Sequence, residues 1–188
     1  MGNQYLGTKF KTTFRSNEVP VSPLFKTIKH WSAIFAKHNF APAMPGGFGG
    51  NLSIRDKKCF FITASGADLA NLSENEIVKV CQCDCDNNSV EVIGCKNPSS
   101  ETLLHNEIYK YRPEVTAIFH GHYPPFEEHA KRLNLKVTEN EAPYGSINLV
   151  KEVIKIIAEE SIIIIKNHGF LSMAKEPNQA GNQILNLL

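Results

Sequence analysis

The chain has 188 residues, of which 42% are hydrophobic and 21% are charged, and its formal net charge is +1. This length suits one domain with a full core and is short for two. The balanced charge gives no sign of a nucleic-acid-binding surface, and no apolar run approaches the roughly 20 residues that span a bilayer.

The N-terminus has no signal-peptide core, because Lys9, Lys11 and Arg15 interrupt it. Five cysteines, an odd number, without a secretion signal indicate reduced thiols. We therefore expect a cytoplasmic protein that binds neither nucleic acid nor membrane.

The first half of the chain begins with a polar arm over residues 1–20, in which Phe10 and Phe14 are possible anchors. Apolar residues at helical spacing predict an amphipathic helix over 22–38. The Pro- and Gly-rich stretch 42–50 is either a flexible loop or backbone that approaches a ligand closely. Two strands are predicted over 51–55 and 59–63.

Two features with open interpretations follow these strands. Small and hydroxyl-bearing residues follow the second strand, in Thr63-Ala64-Ser65-Gly66. Such a turn either binds an anion or has no role beyond reversing the chain. A hairpin over 76–84 and 89–93 carries Cys81, Cys83 and Cys85. Their alternation places them on one face, where they either bind a soft metal or only mark a strand edge.

The second half of the chain alternates helical and strand patterns. Predicted helices cover 100–111, 124–133, 146–157 and 178–188, and predicted strands cover 115–122, 162–165 and 170–174. No internal repeat or linker is present. We predict a single α/β domain over 21–188, in which helices cover both faces of a mixed sheet.

Three histidines follow strand patterns and are candidate metal ligands. His120 and His122 end one strand, and the period of two in a strand points them to the same side. His168 follows another strand and can complete a zinc site of three imidazoles. The alternative is that each is a packed or surface residue, since spacing alone does not show that the three meet.

A carboxylate and two hydroxyls lie at a predicted helix start. Glu101 is either a favourable charge in the first helical turn or a general base or extra metal ligand. Ser99 and Ser100 either cap the helix or bind a phosphate through hydroxyls and backbone N–H groups.

Five motifs, in order over about residues 24–185, resemble the class II aldolase and adducin-head family. They are Gly50-Asn51-Leu52-Ser53, Thr63-Ala64-Ser65-Gly66, Pro98-Ser99-Ser100-Glu101, His120-Gly121-His122 and Asn167-His168-Gly169. The resemblance implies an α/β/α sandwich around a largely antiparallel sheet. It also implies a cyclic homotetramer with active sites between subunits.

The same resemblance implies roles for individual residues. His120, His122 and His168 match the zinc-binding histidines, and Glu101 matches the catalytic glutamate. Imidazole ligands also suit Mn²⁺ and Co²⁺, so these ions stay open as alternatives to Zn²⁺. The residues that match the phosphate-binding positions are Asn51, Ser65, Gly66, Ser99 and Ser100.

The implied activity is that of a metal-dependent lyase that cleaves a small phosphorylated sugar or related aldol through an enediolate. The same family features also suit an epimerase, a dehydratase or a decarboxylase, or a non-catalytic adducin-like assembly module. The resemblance further implies a tyrosine that protonates the leaving group. Only 19 residues separate His122 from Ala142, where the family's sugar-phosphate aldolases carry a longer segment that holds this tyrosine. This chain has no clear counterpart, and the candidates are Tyr123 and Tyr144.

Overall fold

This computed structural model describes residues 8–188, in which most strands precede the second helix and strands and helices are interspersed after it. The strands are β1 (Lys11–Ser16), β2 (Ala43–Met44), β3 (Gly47–Phe48), β4 (Asn51–Asp56), β5 (Cys59–Thr63), β6 (Ile77–Asp84), β7 (Ser89–Ile93), β8 (Ala117–Gly121), β9 (Lys136–Val137), β10 (Ile162–Ile165) and β11 (Gly169–Ala174). The helices are α1 (Leu24–Lys37), α2 (Thr102–Tyr111), α3 (Pro124–Glu128), α4 (Ile147–Ile156) and α5 (Pro177–Leu185).

Nine of these strands form one sheet, in the order β1-β7-β6-β5-β4-β8-β11-β10-β9. The pairs at its two edges, β1 with β7 and β9 with β10, are parallel, and the pairs between them are antiparallel. Strands β2 and β3 form a separate small hairpin. The prediction of a mixed, largely antiparallel sheet is therefore confirmed.

Two neighbouring phenylalanines of β5 show how helices cover the sheet. Successive side chains of a strand point to opposite faces. Phe61 packs against Phe25 of α1 with ring centroids 5.3 Å apart, and Phe60 packs against Tyr109 of α2 at the same separation. Helices α1 and α2 therefore lie on opposite faces, which gives the expected α/β/α sandwich.

Part of the predicted N-terminal arm belongs to the sheet. Residues 1–7 of the arm lie outside the described residues, but Lys11–Ser16 pair in parallel with Ser89–Ile93 of β7. Phe10 is buried, while Phe14 remains exposed. The predicted helix over 124–133 is shorter than expected, because α3 ends at Glu128 and hydrogen-bonded turns follow.

No helix within residues 8–188 has the length and apolar character that a membrane span requires.

The candidate site residues lie near the middle of the sheet. Strand β8 lies between β4 and β11, and His120 of β8 is paired with Asn51 on one side and with Leu171 on the other. Side chains from three neighbouring strands therefore meet at this end of β8.

Candidate active site

Three histidines from two separate parts of the chain converge at the end of β8. His120 is in the strand, His122 follows it, and His168 lies in the turn between β10 and β11. The Nε2 atoms of His120 and His122 are 3.1 Å apart, and the candidate ligand nitrogens of all three rings lie within 4.8 Å of one another. Antiparallel pairing of β8 with β11 brings the turn that holds His168 beside the other two.

Hydrogen bonding fixes which ring nitrogen of His120 can bind a ligand. Its Nδ1 lies 2.9 Å from the carbonyl oxygen of Phe170, and because a carbonyl only accepts, Nδ1 must carry the proton. Burial holds the pKa of His120 well below its ordinary value and lowers the pKa of His122 to about 3. Both rings are therefore neutral at pH 7, and the Nε2 lone pair of His120 faces His122.

This arrangement fits a divalent cation. Zn²⁺ binds neutral imidazole nitrogens at about 2.0–2.1 Å, which places two ligands of a tetrahedral ion roughly 3.3 Å apart. The 3.1 Å between the two Nε2 atoms is close to that separation. Two nitrogen lone pairs that face each other at this distance repel unless a cation or a proton lies between them.

Glu101 supplies a buried carboxylate beside the histidines. It is the N-cap residue of α2 and is 4% exposed. Its Oε2 accepts a hydrogen bond from the Asn51 side chain at 3.0 Å and lies 3.3 Å from Nε2 of His120. Its Oε1 lies 3.3 Å from Nε2 of His168 and has no hydrogen-bond partner. A buried carboxylate oxygen without a partner is costly, so this oxygen suits a proton or a ligand of the site.

A second group of polar residues faces the same cavity. Hydrogen bonds from Ser65 N to Asn97 O and from Ser99 N to Thr63 O bring the turn after β5 beside the start of α2. Gly66 has φ +68°, a conformation that favours glycine. Ser65 Oγ and Asn51 Oδ1 are buried without hydrogen-bond partners. The Ser65 hydroxyl can donate to an anion with several oxygens, whereas the Asn51 amide oxygen only accepts and suits a hydroxyl of a ligand.

One cavity of about 350 Å³ joins the two groups. It is lined by every candidate site residue predicted from the sequence: Asn51, Ser65, Gly66, Ser99, Ser100, Glu101, His120, His122 and His168. The Pro- and Gly-rich stretch also reaches this cavity, through Met44, Phe48, Gly49 and Gly50. Of the two interpretations of that stretch, close approach to a ligand site is therefore the one that its position favours.

The two candidate tyrosines lie in different places. Tyr144 lines the cavity. Tyr123 packs against Phe40 and Phe126, with ring centroids 5.4 and 4.8 Å away. It borders a second hollow of about 900 Å³, which shares His122 and His168 with the first cavity. The two tyrosines thus flank the histidines from different sides.

The structure adds two residues that the sequence did not single out. His105 lies one helical turn after Glu101, and its Nδ1 is 2.7 Å from Ser53 Oγ. Burial lowers the pKa of His105 to about 4. Glu127 accepts a hydrogen bond from the Asn167 backbone N–H, which lies 3.1 and 3.0 Å from its two carboxylate oxygens. Glu127 therefore holds the turn that carries His168.

The three cysteines of the β6–β7 hairpin do not share a face, contrary to the prediction. A bulge between Val80 and Gln82 interrupts the alternation. Cys81 lies beside Cys59 of the neighbouring strand, whereas Cys85 Sγ is 3.1 Å from a Glu107 carboxylate oxygen on α2. Within the described residues, the three histidines are the one group of three or more side chains placed to share a metal ion.

Comparisons with known proteins agree with this fold. The family model described as "Class II Aldolase and Adducin N-terminal domain" matches residues 32–187. An L-fuculose phosphate aldolase of Methanococcus maripaludis is 32% identical over 148 residues, which cover 71% of this chain and 77% of the relative.

Two further matches extend the comparison. A methylthioribulose-1-phosphate dehydratase of Xylella fastidiosa is 36% identical over 88 residues, which cover 47% of this chain and 37% of the relative. Among solved structures, an L-fuculose 1-phosphate aldolase superposes with a TM-score of 0.73 at 25% identity, covering 90% of this chain and 83% of that structure.

Proposed function

The chain belongs to the class II aldolase and adducin N-terminal domain family, and from this premise we propose that it is a metal-dependent lyase that cleaves a small phosphorylated sugar or related aldol. The observation that carries the proposal is the buried Oε1 of Glu101, which has no hydrogen-bond partner and lies 3.3 Å from Nε2 of His168, in a cavity that also holds the buried Ser65 hydroxyl, a donor suited to an anion.

His120, His122 and His168 would hold the metal, which we propose is Zn²⁺, with Mn²⁺ and Co²⁺ as alternatives. When bound, this ion supplies a Lewis acid that stabilises the enediolate formed as the carbon–carbon bond breaks. The hydrogen bond from His120 Nδ1 to the Phe170 carbonyl keeps that ring in the tautomer that binds through Nε2.

Glu101 is the group that transfers a proton to or from the enediolate carbon. Asn51 donates to Oε2, which leaves Oε1 as the oxygen that can take up a proton. The hydrogen bond also fixes the orientation of the carboxylate, so that proton transfer needs no rearrangement of the side chain. Glu101 is therefore the proposed catalytic residue.

The phosphate group binds at the other side of the cavity. Asn51 can offer the second N–H of its side-chain amide and Ser65 a buried hydroxyl, Gly66 allows close backbone approach, and Ser99 and Ser100 lie just before α2. The start of a helix favours an anion, because its N–H groups and its dipole point toward it. Fixing the phosphate there sets the distance from the reacting carbons to Glu101.

A second candidate function is the elimination of water from a related ketose phosphate. The match to a dehydratase favours it, and elimination uses the same carboxylate and the same kind of enolate. An epimerase or a decarboxylase would also use this site. A non-catalytic, adducin-like module is a weaker proposal, because it does not require three converging histidines.

The test is product analysis after incubation with L-fuculose 1-phosphate or 5-methylthioribulose 1-phosphate, with added Zn²⁺, Mn²⁺ or Co²⁺. Cleavage to an aldehyde and a three-carbon ketose phosphate supports the lyase, whereas loss of water or a changed stereocentre without cleavage supports the alternatives. Undiminished activity after complete removal of metal would contradict the proposal. The Tyr144→Phe and Tyr123→Phe variants then identify the tyrosine that protonates the leaving group.

We also propose that the chain works as a homotetramer in the cytoplasm, as the family resemblance implies. Light scattering of the purified protein tests the assembly, for which the subunit mass is 21.0 kDa.

A further inference from the structure

Strand β4 holds Glu101 at two points, one on its side chain and one through the first turn of α2. The side-chain amide of Asn51 in β4 donates to Glu101 Oε2 at 3.0 Å. Two residues further along β4, Ser53 Oγ lies 2.7 Å from Nδ1 of His105. The backbone N–H of His105 donates to the Glu101 carbonyl oxygen at 3.0 Å. These three contacts close a ring that ties both the side chain and the backbone of Glu101 to one strand.

The ring is the first part of a longer polar ladder between β4 and α2. Alternate residues of β4 contact every fourth residue of the helix, and the contacting pairs are Asn51 with Glu101, Ser53 with His105, and Arg55 with Tyr109. Two residues of a strand advance by about 6.6–6.8 Å, and four residues of a helix advance by about 6.0 Å. Because the two spacings are similar, all three pairs form together. A shift of α2 along β4 would break them together, so the ladder fixes the start of the helix.

The hydrogen bonds of the second pair have one consistent direction. Tyr109 Oη lies 2.7 Å from Ser53 Oγ and 3.3 Å from the Thr116 carbonyl oxygen. A carbonyl oxygen only accepts, so Tyr109 donates to Thr116 and accepts from Ser53. The Ser53 oxygen then accepts from the Nδ1–H of His105. The opposite direction would put the ring proton on Nε2, which is buried without a partner among the described residues, and a buried N–H without an acceptor is costly.

Both members of this hydrogen bond are withdrawn from water. The side chains of Ser53 and His105 are completely buried. Burial lowers the pKa of His105 to about 4, so the ring is neutral at pH 7. His105 therefore contributes a directional hydrogen bond and no charge, and in the buried site this bond does not compete with water.

We propose that His105 is a positioning residue, whose Nδ1–H hydrogen bond to Ser53 keeps the Glu101 carboxylate in place for proton transfer. This inference rests on the proposed function and deepens it. The Asn51 amide orients the carboxylate, and the bond from His105 to Ser53 holds the helix turn from which that carboxylate extends. A displacement of about 1 Å in such a site can cost about 10²-fold in rate. Loss of the bond should therefore act on turnover and leave substrate binding unchanged.

The test is deuterium exchange at the hydroxymethyl carbon of dihydroxyacetone phosphate, measured by NMR in D₂O with the Zn²⁺-loaded protein. The C–H bond breaks, the proton passes to Oε1 of Glu101, and the electron pair stays on the substrate as the enediolate. After exchange with solvent, Glu101 returns a deuteron to the same carbon. This reaction tests proton transfer by Glu101 without the leaving-group acid.

Two substitutions of His105 distinguish its two ring nitrogens. His105→Gln places its amide near the Nε2 position and loses the donor at Nδ1. We expect it to lower kcat for exchange by about 10–100-fold, with KM and metal content unchanged. His105→Asn places an amide N–H near the Nδ1 position, where it can donate to Ser53, and should restore most of the exchange rate.

Two further variants separate positioning from a loss of stability. Ser53→Ala breaks the same hydrogen bond from the strand side and should slow exchange as His105→Gln does. Tyr109→Phe removes the other hydrogen bond of Ser53, which lies outside the ring that contains Glu101. This variant is the matched control: its unfolding midpoint should fall, and its exchange rate should stay that of the wild type. If neither His105 variant folds, the comparison of Ser53→Ala with Tyr109→Phe decides.

The contrary outcomes fall into two groups. Wild-type exchange in His105→Gln would overturn the role of His105 alone. Equal losses in His105→Gln and His105→Asn, or in Ser53→Ala and Tyr109→Phe, would also overturn it, because they would indicate a general loosening of the fold. A wild-type protein that exchanges no deuterium would overturn the proposed function together with this inference.

Discussion

Two regions of this molecule have the residue types of a metal site, and only one of them is built as such a site. At the end of β8, His120, His122 and His168 come within 4.8 Å of one another through their ligand nitrogens. In the β6–β7 hairpin, Cys81 is separated from Cys83 and Cys85 by a bulge. This comparison shows that ligand-type residues at alternate positions of one strand indicate a metal site less strongly than ligand-type residues that neighbouring strands bring together.

The electrostatics of the two regions also differ. Burial lowers the pKa of His122 to about 3, so that its ring is neutral and can bind a cation at pH 7. Burial raises the pKa of Cys83 to about 12, and burial with the Glu107 carboxylate raises that of Cys85 to about 12. A thiol binds metal as the thiolate. In the metal-free protein the histidine region therefore offers neutral imidazoles at neutral pH, whereas the hairpin thiols are protonated.

The largest expected effect that separates the two regions is on turnover. Glu101→Gln removes the proposed proton-transfer group and should lower kcat by about 10²–10⁴-fold while metal stays bound. Glu107→Gln makes the same change on the same helix, beside Cys85, and should leave kcat unchanged. Steady-state kinetics on the cleaved sugar phosphate measure both. Wild-type turnover in Glu101→Gln would remove this residue from the mechanism.

A smaller effect is expected on metal affinity. Glu127 holds the Asn167 N–H with both carboxylate oxygens and so orients the turn that carries His168. Loss of such outer partners typically weakens metal binding about 10–100-fold, which we expect for Glu127→Gln in a competition titration with a chelator. Glu128 is its exposed neighbour, and Glu128→Gln is the control with unchanged affinity. Identical metal affinities in the two variants would show that the turn keeps its conformation without the Glu127 carboxylate.

The pH dependence of stability should also separate the regions. The folded-state pKa of His105 is about 4, below its ordinary value near 6.5, so the unfolded chain takes up the proton first. His105 alone should therefore lower the free energy of unfolding of the metal-free protein by on the order of 3 kcal/mol as pH drops from about 6.5 to about 4, in addition to the fall caused by His120 and His122, whose pKa values burial also lowers.

Urea unfolding at several pH values measures this slope. His105→Gln should make the slope shallower than in the wild type, whatever the stability of that variant at pH 7, while the part caused by His120 and His122 remains. Cys83→Ser should keep the wild-type slope, because the Cys83 thiol titrates far above this range. A slope that is the same in His105→Gln and in the wild type would place the proton uptake on other groups.

Much of the fold could be predicted from the sequence, because its patterns are local. Alternating and helical spacings indicated most strands and helices, and the five motifs indicated the family, which is confirmed. The joining of β1 to β7 was not predictable, since Lys11 and Ser89 are far apart in the chain and the arm has no strong alternation. The bulge at Cys81 was also unpredictable, because no Gly or Pro marks it.

The candidate site also contains residues that the sequence predicted and residues that only the structure revealed. The histidines, Glu101 and the serines lie in recognisable motifs and share one cavity, as proposed from those motifs. Glu127 and His105 lie outside the motifs and contact Asn167 and Ser53. Such contacts between distant segments depend on tertiary packing, which a single sequence does not reveal. The two residues were therefore found only in the structure.

The central claim is that the histidines, and not the thiols, bind the metal. Metal content of protein purified without added metal tests it most directly, for the wild type, His122→Ala and the triple variant Cys81→Ser/Cys83→Ser/Cys85→Ser. We expect about one divalent ion per chain in the wild type and in the cysteine variant, and nearly none in His122→Ala. Retention of the ion in His122→Ala, or its loss from the cysteine variant, would contradict the account.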